Sequence, residues 1–322
     1  MTLSAAIIGC GRIAGGYDRQ VPDTMDPDAW SATHAGAYLL CPDTELVAAS
    51  DPSDDARKTF AQKWACTNIY ADHAKMLSDH APDVVSICAP TNTHAEVFKA
   101  AINGNAKGIV LEKPVATNLN DAEEMQLIAG DLPVLVNFTR RFNPSYDKIA
   151  RDIRNGIYGR VLNAVFRYTK GLIVNGSHHI DTARWFFGAP LRVPHLKTKT
   201  DGRDDPCVDF CLSFENNIDA YLLSAPDADF VFFDIELITE KGRLRITQRG
   251  QQIAFDDAIP EPHYGLFNII GPKHTVESEW KNCATRAIQN LADCVNNGTD
   301  PQCTLDDGIQ VMRIIDTLKK AS

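Results

Sequence analysis

Lys113 is the residue of this chain whose type and position most clearly suggest chemistry. It lies in Glu112-Lys113-Pro114, directly after residues 108–111, a run typical of a short buried strand. Pro114 ends that strand, because proline lacks a backbone N–H and has a fixed φ. The carboxyl ends of strands in an open α/β sheet form the ligand-binding edge. A lysine held there is therefore either paired or acting on a ligand, and its cation can stabilise a developing alkoxide.

A glycine-rich turn near the amino terminus could bind a dinucleotide. Residues 9–14 have the sequence Gly-Cys-Gly-Arg-Ile-Ala and directly follow an apolar strand at residues 5–8. Gly9 permits the tight turn, Gly11 lets the backbone approach a pyrophosphate, and the small Ala14 lets a helix pack on the strand. The amino terminus of that helix would face the phosphates. We expect a nucleotide site here, although a tight turn without a ligand is the alternative.

An acidic residue ends the second predicted strand. Asp51 could accept a hydrogen bond from a ribose 2′-hydroxyl and repel a 2′-phosphate, which favours NAD over NADP. The distance from the glycine turn exceeds the usual spacing of about 20 residues. A Pro- and Asp-rich insertion at residues 16–33 accounts for the excess, and we expect it to form a loop over cofactor or substrate. Asp51 could instead be an ordinary turn residue.

The elements that must position these residues alternate in the first part of the chain. Apolar strands are predicted at residues 5–8, 45–50, 83–88, 108–111 and 133–138, with helices at 34–40, 56–63, 94–103 and 120–128. Strands that are apolar throughout indicate a parallel sheet covered on both faces. The sequence thus predicts a Rossmann-type α/β domain over residues 1–138.

The pattern changes after that point. Strands with alternating polarity are predicted at residues 161–168, 208–214, 220–224, 230–239 and 242–247, followed by helices at 277–296 and 306–320. We expect residues 139–322 to form an α+β domain with a large, mostly antiparallel open sheet and closing carboxyl-terminal helices.

Composition excludes several classes of protein. The chain has 322 residues and a net charge of −10, which argues against nucleic-acid binding. No apolar run approaches the ~18 residues of a membrane span, and the start lacks the positive region of a signal peptide. The nine cysteines are scattered, with no Cys-x-x-Cys pair. We expect buried thiols, no metal site and a cytoplasmic protein.

Four stretches together resemble the Gfo/Idh/MocA family, the glucose–fructose oxidoreductase and inositol dehydrogenase group. They are the glycine turn, Ala89-Pro90-Thr91-Asn92-Thr93-His94, Glu112-Lys113-Pro114, and the segment from Gly176 to Trp185 that contains His178-His179-Ile180-Asp181. The tail at residues 301–308 also resembles the closing helix of the family. The similarity spans essentially the whole chain. It implies a dinucleotide-binding domain followed by an open-sheet domain, and hydride transfer at a ring carbinol of a sugar or cyclitol.

The resemblance also implies roles for individual residues. Lys113 would contact the reacting oxygen and His178 would be the general base, a role suited to an imidazole that titrates near neutral pH. Asp181, one helical turn later, would orient His178 or a substrate hydroxyl. The family often has an aspartate four residues before this histidine, but here that residue is Val174. Asn175 is adjacent and could hold a hydroxyl, although an amide cannot accept a proton as a base does.

The remaining candidates are contacts to cofactor and substrate. The cofactor set is Gly9, Gly11, Arg12, Ile13, Asp51, Pro90, Thr91, Asn92, His94, Glu112 and Lys113. The substrate set is Arg140, Arg141, Asn143, Tyr168 and Lys170. For several members a plainer interpretation stays open. His94 could simply begin a helix, the arginine pair could be a salt-bridged surface, and Tyr168 with Lys170 could be an exposed strand end. His179 is expected to be a packed residue.

These observations predict an NAD-dependent dehydrogenase or reductase. The substrate would be a sugar, a sugar derivative or a cyclitol, and the basic candidates on an acidic protein hint at an anionic or nucleotide-linked sugar. A glycoside hydrolase that retains NAD and a non-catalytic sugar or NAD sensor are the alternatives. The family resemblance also implies that residues 139–322 hold the substrate and mediate association into a homodimer or homotetramer.

Overall fold

The computed structural model describes residues 1–26, 28–199, 204–226 and 229–321, and these residues form two compact units. The first unit comprises Met1–Phe142 with Lys281–Met312, and the second comprises Asn143–Trp280 with the residues from 313 onward. The first boundary lies close to the predicted one. The predicted placement of both closing helices in the second domain differs from this division, as the helix at residues 283–297 belongs to the first unit.

The first unit contains a parallel six-stranded sheet, which confirms the predicted Rossmann-type fold. Its strands run in the order β3-β2-β1-β4-β5-β6. Their bounds are Leu3–Ile8 (β1), Thr44–Ser50 (β2), Ile69–Tyr70 (β3), Val84–Ile87 (β4), Gly108–Leu111 (β5) and Val134–Val136 (β6). β3 was not predicted, because two residues are too short to show a periodic pattern.

Helices cover this sheet. They are α1 (His34–Leu40), α2 (Asp54–Trp64), α3 (His73–His80), α4 (His94–Asn103) and α5 (Leu119–Ala129). Short polar side chains cap four of them, as expected where the first backbone N–H groups lack helical partners: Thr33, Ser53, Asp72 and Asn118. β4 and β5 are buried along their entire length, consistent with helices on both faces.

A late helix in the chain returns to this sheet. The helix at Cys283–Asn297 packs so closely on β5 that a Cβ added at Gly108 would lie 2.8 Å from Val295 Cγ2. This helix is amphipathic, but an amphipathic pattern shows only that one face is buried and does not reveal which sheet the helix covers.

The second unit is built on an eight-stranded sheet in the order β14-β13-β12-β11-β7-β10-β9-β8. The strands are Val161–Tyr168 (β7), His195–Lys199 (β8), Cys207–Ser213 (β9), Asp219–Ser224 (β10), Phe233–Thr239 (β11), Gly242–Thr247 (β12), Gln252–Pro260 (β13) and Asn268–Glu277 (β14). All neighbouring pairs are antiparallel except β10 and β7. This confirms the predicted large, mostly antiparallel sheet.

The remaining helices are α6 (Pro144–Arg154), α7 (Ser177–Phe187), α8 (Cys283–Asn297) and α9 (Leu305–Ala321). α3, α6, β8, β13 and β14 were not predicted. The helix expected from residue 277 begins only at Cys283, because β14 extends to Glu277. β14 is exposed at nine of its ten positions and contains Gly271 and Pro272, so it lacks the polar–apolar alternation of a half-buried strand.

Two further observations bear on the class of protein. No helix within the described residues has the length and apolar character needed to cross a bilayer. All nine cysteines are free, and all but the half-buried Cys88 are buried, as predicted.

Candidate active site

The segments that follow β1, β4, β5 and β6 lie side by side at the carboxyl edge of the first sheet. Backbone hydrogen bonds join them: Cys88 N donates to Ile8 O (2.8 Å), Glu112 N to Ile87 O (3.1 Å) and Asn137 N to Leu111 O (2.9 Å). The chain proceeds from β1 to β2 on one side and returns to β4 on the other. The site is therefore at the topological switch point where such sheets bind ligands.

The glycine turn has the geometry that a pyrophosphate requires. Gly9 has a φ of +96°, and a Cβ there would lie 2.6 Å from Ala89 N, so only glycine fits. A Cβ at Gly11 would meet nothing within 4 Å. The backbone at Gly11 is thus open to the close approach of a ligand, and the turn fits a dinucleotide.

The helix expected after this turn is only one π-helical turn, at Arg12–Gly16, in which Ala14 is buried as predicted and Arg12 is exposed. The chain then enters the predicted insertion. Gly15 explains part of this local structure, since a Cβ there would lie 2.2 Å from Trp64 Nε1.

The insertion is closed at its base by one carboxylate. Asp18 Oδ2 accepts hydrogen bonds from Ser31 Oγ and Thr33 Oγ1, both at 2.6 Å, and Asp18 Oδ1 accepts one from Ala32 N at 2.8 Å. Lys63 Nζ donates to the carbonyl oxygens of Gly15, at 2.8 Å, and Asp18. The loop is therefore anchored on the first unit, and Thr33 passes directly into α1.

Asp51 lies against the glycine turn. Its Oδ2 accepts a hydrogen bond from Cys10 N and its Oδ1 one from Ser53 N, each at 2.8 Å. The Arg57 guanidinium donates to the backbone oxygen of Asp51 at 2.8 Å. Asp51 is thus both a turn residue and a neighbour of the nucleotide turn, so the two interpretations of the sequence are compatible.

The same contact affects Cys10. Burial, together with the charges of Asp51 and Cys66, raises the pKa of the Cys10 thiol to about 12. Cys10 is therefore a neutral thiol at physiological pH and not a nucleophile.

Glu112 and its partners form a buried polar network beside Lys113. Glu112 Oε1 accepts hydrogen bonds from His34 Nε2 at 2.9 Å and Asn137 Nδ2 at 2.7 Å. Burial acts to raise the pKa of the Glu112 carboxyl, but the hydrogen bond and charge of His34, the Asn137 amide and the charge of Lys113 outweigh it and lower the pKa. Glu112 was predicted as a cofactor contact. In the structure its Oε1 accepts hydrogen bonds from His34 and Asn137.

The loop after β4 contains the other predicted cofactor contacts. Pro90 and Asn92 are exposed and Thr91 is half-buried at the edge of the switch point. His94 is different, because only 1% of it is exposed and its Nδ1 and Nε2 lie 3.1 and 3.0 Å from the carbonyl oxygens of Val115 and Ala89. His94 begins α4 and links two backbone segments. This supports the plainer interpretation and does not fit a cofactor contact through its ring.

The basic residues after β6 are buried rather than surface-exposed. Arg140 is 8% and Arg141 6% exposed, and Arg141 Nη2 lies 3.3 Å from Asp307 Oδ1. Asn143, predicted to contact substrate, is fully buried; it accepts a hydrogen bond from Ser145 N as the cap of α6, and its amide donates to Ser278 Oγ. That prediction is corrected, since the side chain is used within the second unit.

In the second unit, α7 carries the predicted base. His178 is half-buried in the first turn of α7, and Asp181 follows one turn later on the same face with 1% exposure. His179 is fully buried, with Nε2 bound at 3.0 Å to Arg167 O and its ring stacked 3.6 Å from Phe233. His179 is thus packed, as predicted, which leaves His178 as the accessible member of the pair.

The chain before α7 is held by a residue that the sequence did not single out. Asp205 accepts hydrogen bonds from Ile173 N (2.8 Å) and Val174 N (2.9 Å) at the start of a π-helical turn, Leu172–Gly176. Val174 is 47% exposed and Asn175 Nδ2 donates to Thr169 O at 2.8 Å. The Asn175 amide nitrogen is therefore engaged with the backbone.

Two substrate candidates precede this turn. Lys170 is exposed, with a φ of +73°. Tyr168 is fully buried, and its hydroxyl donates to Val208 O at 2.5 Å and accepts from Val208 N at 3.2 Å. Tyr168 is a core residue, so neither a pocket-lining role nor an exposed strand end describes it.

The structure thus brings Gly9, Gly11, Asp51 and Lys113 to one edge of the first unit, and His178, Asp181 and Asn175 to one segment of the second. The pairing of Lys113 with His178 remains a prediction. His34, Asn137 and Asp205 were missed. The only signal for the first two was position, since Asn137 lies near the end of a predicted strand and His34 begins a predicted helix.

Comparisons with known proteins agree with this geometry. Residues 3–138 match the model of the Gfo/Idh/MocA oxidoreductase family, described as an NAD-binding Rossmann fold. The chain is 25% identical over 308 residues to the uncharacterized oxidoreductase YrbE of Bacillus subtilis, covering 87% of this chain and 88% of that protein. It is 28% identical over 330 residues to the scyllo-inositol 2-dehydrogenase (NAD(+)) of the same organism, covering 93% and 88%.

A solved structure shows the same fold. The aldose–aldose oxidoreductase of Caulobacter crescentus, complexed with glycerol, superposes with a TM-score of 0.81 at 18% identity, covering 100% of this chain and 97% of that one. The similarity therefore extends over both units.

Proposed function

We propose that this chain, whose residues 3–138 match the model of the Gfo/Idh/MocA family of NAD-binding oxidoreductases, transfers hydride between nicotinamide and a ring carbinol or ketone of a sugar, sugar derivative or cyclitol. The observation that carries the proposal is the position of Lys113. This lysine follows β5 at the carboxyl edge where the open glycine turn also lies. A cation and a dinucleotide-binding turn at one switch point are what hydride transfer at a carbinol requires.

The residues would divide the reaction as follows. Gly9 and Gly11 would admit the pyrophosphate, and the bound nicotinamide would supply the hydride acceptor or donor. Lys113 would stabilise the alkoxide that develops on the reacting oxygen. His178 would accept the hydroxyl proton, with Asp181 and Asn175 orienting His178 or a substrate hydroxyl. Val174 stands where the family often has an aspartate, so His178 would have to act as the base without that acid.

The position of Asp51 supports NAD as the preferred cofactor. Its carboxylate accepts the N–H of Cys10 within the glycine turn, and the second lone pairs of its oxygens remain able to accept a ribose 2′-hydroxyl. A 2′-phosphate would meet this negative charge. The name of the Bacillus scyllo-inositol dehydrogenase, which specifies NAD, points the same way.

The experiment is a substrate survey. Purified protein would be mixed with NAD and a panel of cyclitols, aldoses, uronates, phosphosugars and nucleotide sugars, and NADH absorbance recorded, with NADH and the ketones as the reverse test. An absorbance rise with one class that Lys113→Ala abolishes supports the proposal. Cleavage of a glycoside without net NADH would indicate the hydrolase, and NAD binding with no turnover of any kind would indicate a sensor.

Sugar and cyclitol substrates are favoured by the relatives named above, while the structure weakens one argument for an anionic substrate. Arg141 is paired with Asp307, so its charge is not available in full to a ligand. Lys170 remains exposed. The anionic members of the panel therefore serve as a direct test of that narrower class.

We also propose a cytoplasmic homodimer or homotetramer that associates through the second unit. The outer end of the β13–β14 hairpin exposes several large apolar side chains, which is the usual mark of an interaction surface: Ile259, Tyr264, Leu266, Phe267, Ile269 and Ile270. Light scattering at micromolar concentration tests this, and Leu266→Asp with Phe267→Asp should shift the mass toward the monomer. A monomeric wild-type protein would contradict it.

A further inference from the structure

A chain of hydrogen bonds crosses the first unit beneath the candidate site. Tyr38 OH lies 2.7 Å from Ser86 Oγ, Ser86 Oγ lies 2.9 Å from His34 Nδ1, and His34 Nε2 lies 2.9 Å from Glu112 Oε1. Asn137 Nδ2 donates to the same carboxylate oxygen at 2.7 Å. The network therefore joins four separate segments of the sequence and ends at the residue that precedes Lys113.

The order of groups is that of a Ser–His–carboxylate triad, but burial excludes nucleophilic chemistry. Ser86 is fully buried and Tyr38 is 1% exposed, so no substrate can reach the hydroxyl. The role of these hydrogen bonds must therefore concern the group at their other end. That end is Glu112, where the strand leaves the sheet.

Two hydrogen-bond donors, His34 and Asn137, fix one oxygen of Glu112. An ionised carboxylate only accepts hydrogen bonds, so His34 donates from Nε2 whether its ring is neutral or charged. Nδ1 then accepts from or donates to Ser86. Oε1 receives two hydrogen bonds, and the His34 imidazole that donates one of them is buried. The carboxylate is therefore held in one place.

We propose that Glu112 is a positioning residue for Lys113, and that His34 and Asn137 lock Glu112 in the orientation that this requires. The negative charge held next to Lys113 favours the ammonium form and fixes the position from which the amine can reach a substrate oxygen. This inference rests on the proposed function only for the role of Lys113 in turnover.

The insertion is connected to the same network. Thr33, which Asp18 holds at the base of the loop, caps α1, and His34 is the first residue of that helix. The anchored loop base therefore fixes the backbone from which His34 reaches Glu112. The insertion, which the sequence predicted to form a loop over cofactor or substrate, thereby supports the network next to Lys113.

The charged and titratable groups around Glu112 come from three directions. His34 faces it from α1, Lys113 follows it in the chain, and Cys88 lies near it at the end of β4. Burial and the charge of Glu112 raise the pKa of Cys88, so that thiol stays neutral. The carboxylate of Glu112 is thus the anion of this group.

The first test measures Lys113 without any substrate. Lysines are reductively methylated with ¹³C-formaldehyde, the Lys113 signal is assigned with Lys113→Arg, and its pKa is followed by NMR. Glu112→Gln should lower the pKa of Lys113 by about 1 unit. The control is Glu124→Gln, which removes the carboxylate partner of Lys99 (2.6 Å) and should leave the Lys113 signal unchanged.

An unchanged Lys113 pKa in Glu112→Gln would overturn the proposal. If that variant fails to fold, Glu112→Asp keeps the charge but retracts it by one methylene, and should give a smaller shift in the same direction. No shift in that variant would equally overturn it. Because these readouts need no turnover, they stand even if the proposed enzyme activity fails.

The second test separates orientation from binding. His34→Ala should lower kcat about tenfold while the Kd for NAD stays within about twofold, and His34→Gln, whose amide can still donate to Glu112, should restore most of kcat. Equal loss in both His34 variants, or a loss confined to NAD binding, would show that His34 is only structural.

Discussion

The Asp51 carboxylate accepts a hydrogen bond from the backbone N–H of Cys10 at 2.8 Å, although the two residues are 41 positions apart. This contact joins the end of β2 to the glycine turn after β1. It places the acid that would discriminate between cofactors directly at the turn that would bind their phosphates. The long insertion between them does not disturb the arrangement, because Asp18 closes it on itself.

Asp51 should control the choice between NAD and NADP. Asp51→Ala is expected to weaken NAD binding about tenfold, the loss of one hydrogen bond to a charged acceptor, and to weaken NADP less. Asp51→Asn serves as the matched variant, since it can still accept from Cys10 N but lacks the charge. Fluorescence titrations with both cofactors measure this, and an unchanged NAD-to-NADP ratio in both variants would refute the assignment.

Lys113 should be needed for turnover but not for cofactor binding. Lys113→Ala is expected to reduce kcat roughly 100-fold or more, as for loss of a group that stabilises charge at the reacting oxygen. The Kd for NAD should change little, because the glycine turn and Asp51 are untouched. Single-turnover kinetics on the substrate found in the survey would check this, and undiminished activity would remove the catalytic role.

Cys10 should resist alkylation. With a pKa of about 12, only about one thiol in ten thousand is ionised at pH 8, so iodoacetamide should modify Cys10 far more slowly in the folded protein than in denaturant. Burial is the main cause and the charge of Asp51 the next, so Asp51→Asn should speed the reaction. Peptide mass spectrometry over time gives the rates; a fast wild-type reaction would contradict the raised pKa.

Glu112 should make stability depend on pH in the acid range. Its pKa in the folded protein is lowered from an ordinary value of 4.5, so its stabilising contribution is complete above that value and disappears as the pH falls through the lowered pKa. The thermal midpoint of the wild type should therefore fall more steeply below about pH 5 than that of Glu112→Gln. Parallel curves for the two proteins would argue against the lowered pKa.

Gly171 should be essential for the segment that leads to His178. Its φ is +89°, and an added Cβ would lie 2.3 Å from the Asp205 carboxylate that caps this segment. Gly171→Ala should cost about 3 kcal/mol or more, from the strained backbone plus the displaced carboxylate. Gly188→Ala is the matched control, since Gly188 has a φ of +94° but open space around its Cβ, and should cost only about 1 kcal/mol. Urea unfolding compares them, and equal losses would mean that the contact with Asp205 contributes nothing.

Local patterns in the sequence determined the elements that carry the site. The predicted bounds of β5, α1, α4, β7 and β12 agree with the structure residue for residue. These elements have strong polar–apolar periodicity, flanking glycine or proline, or a capping residue, and all of these act within a few positions of the chain. The glycine turn and Lys113 could be identified for the same reason, since a turn and a strand end are local events.

The partners of polar side chains were decided only by tertiary structure. The sequence did not show that Asn143 caps α6 or that the Tyr168 hydroxyl donates to the backbone oxygen of Val208. It also did not show that His34 and Asn137 both donate to Glu112. A buried polar group forms a hydrogen bond with whichever donor or acceptor the fold brings within about 3 Å, and the residue type does not identify that partner. The sequence by itself therefore determined the fold class and the presence of a dinucleotide turn with a lysine at a strand end. The tertiary structure determined which side chains remain available to a ligand, because burial and hydrogen bonding between distant segments depend on how the elements pack.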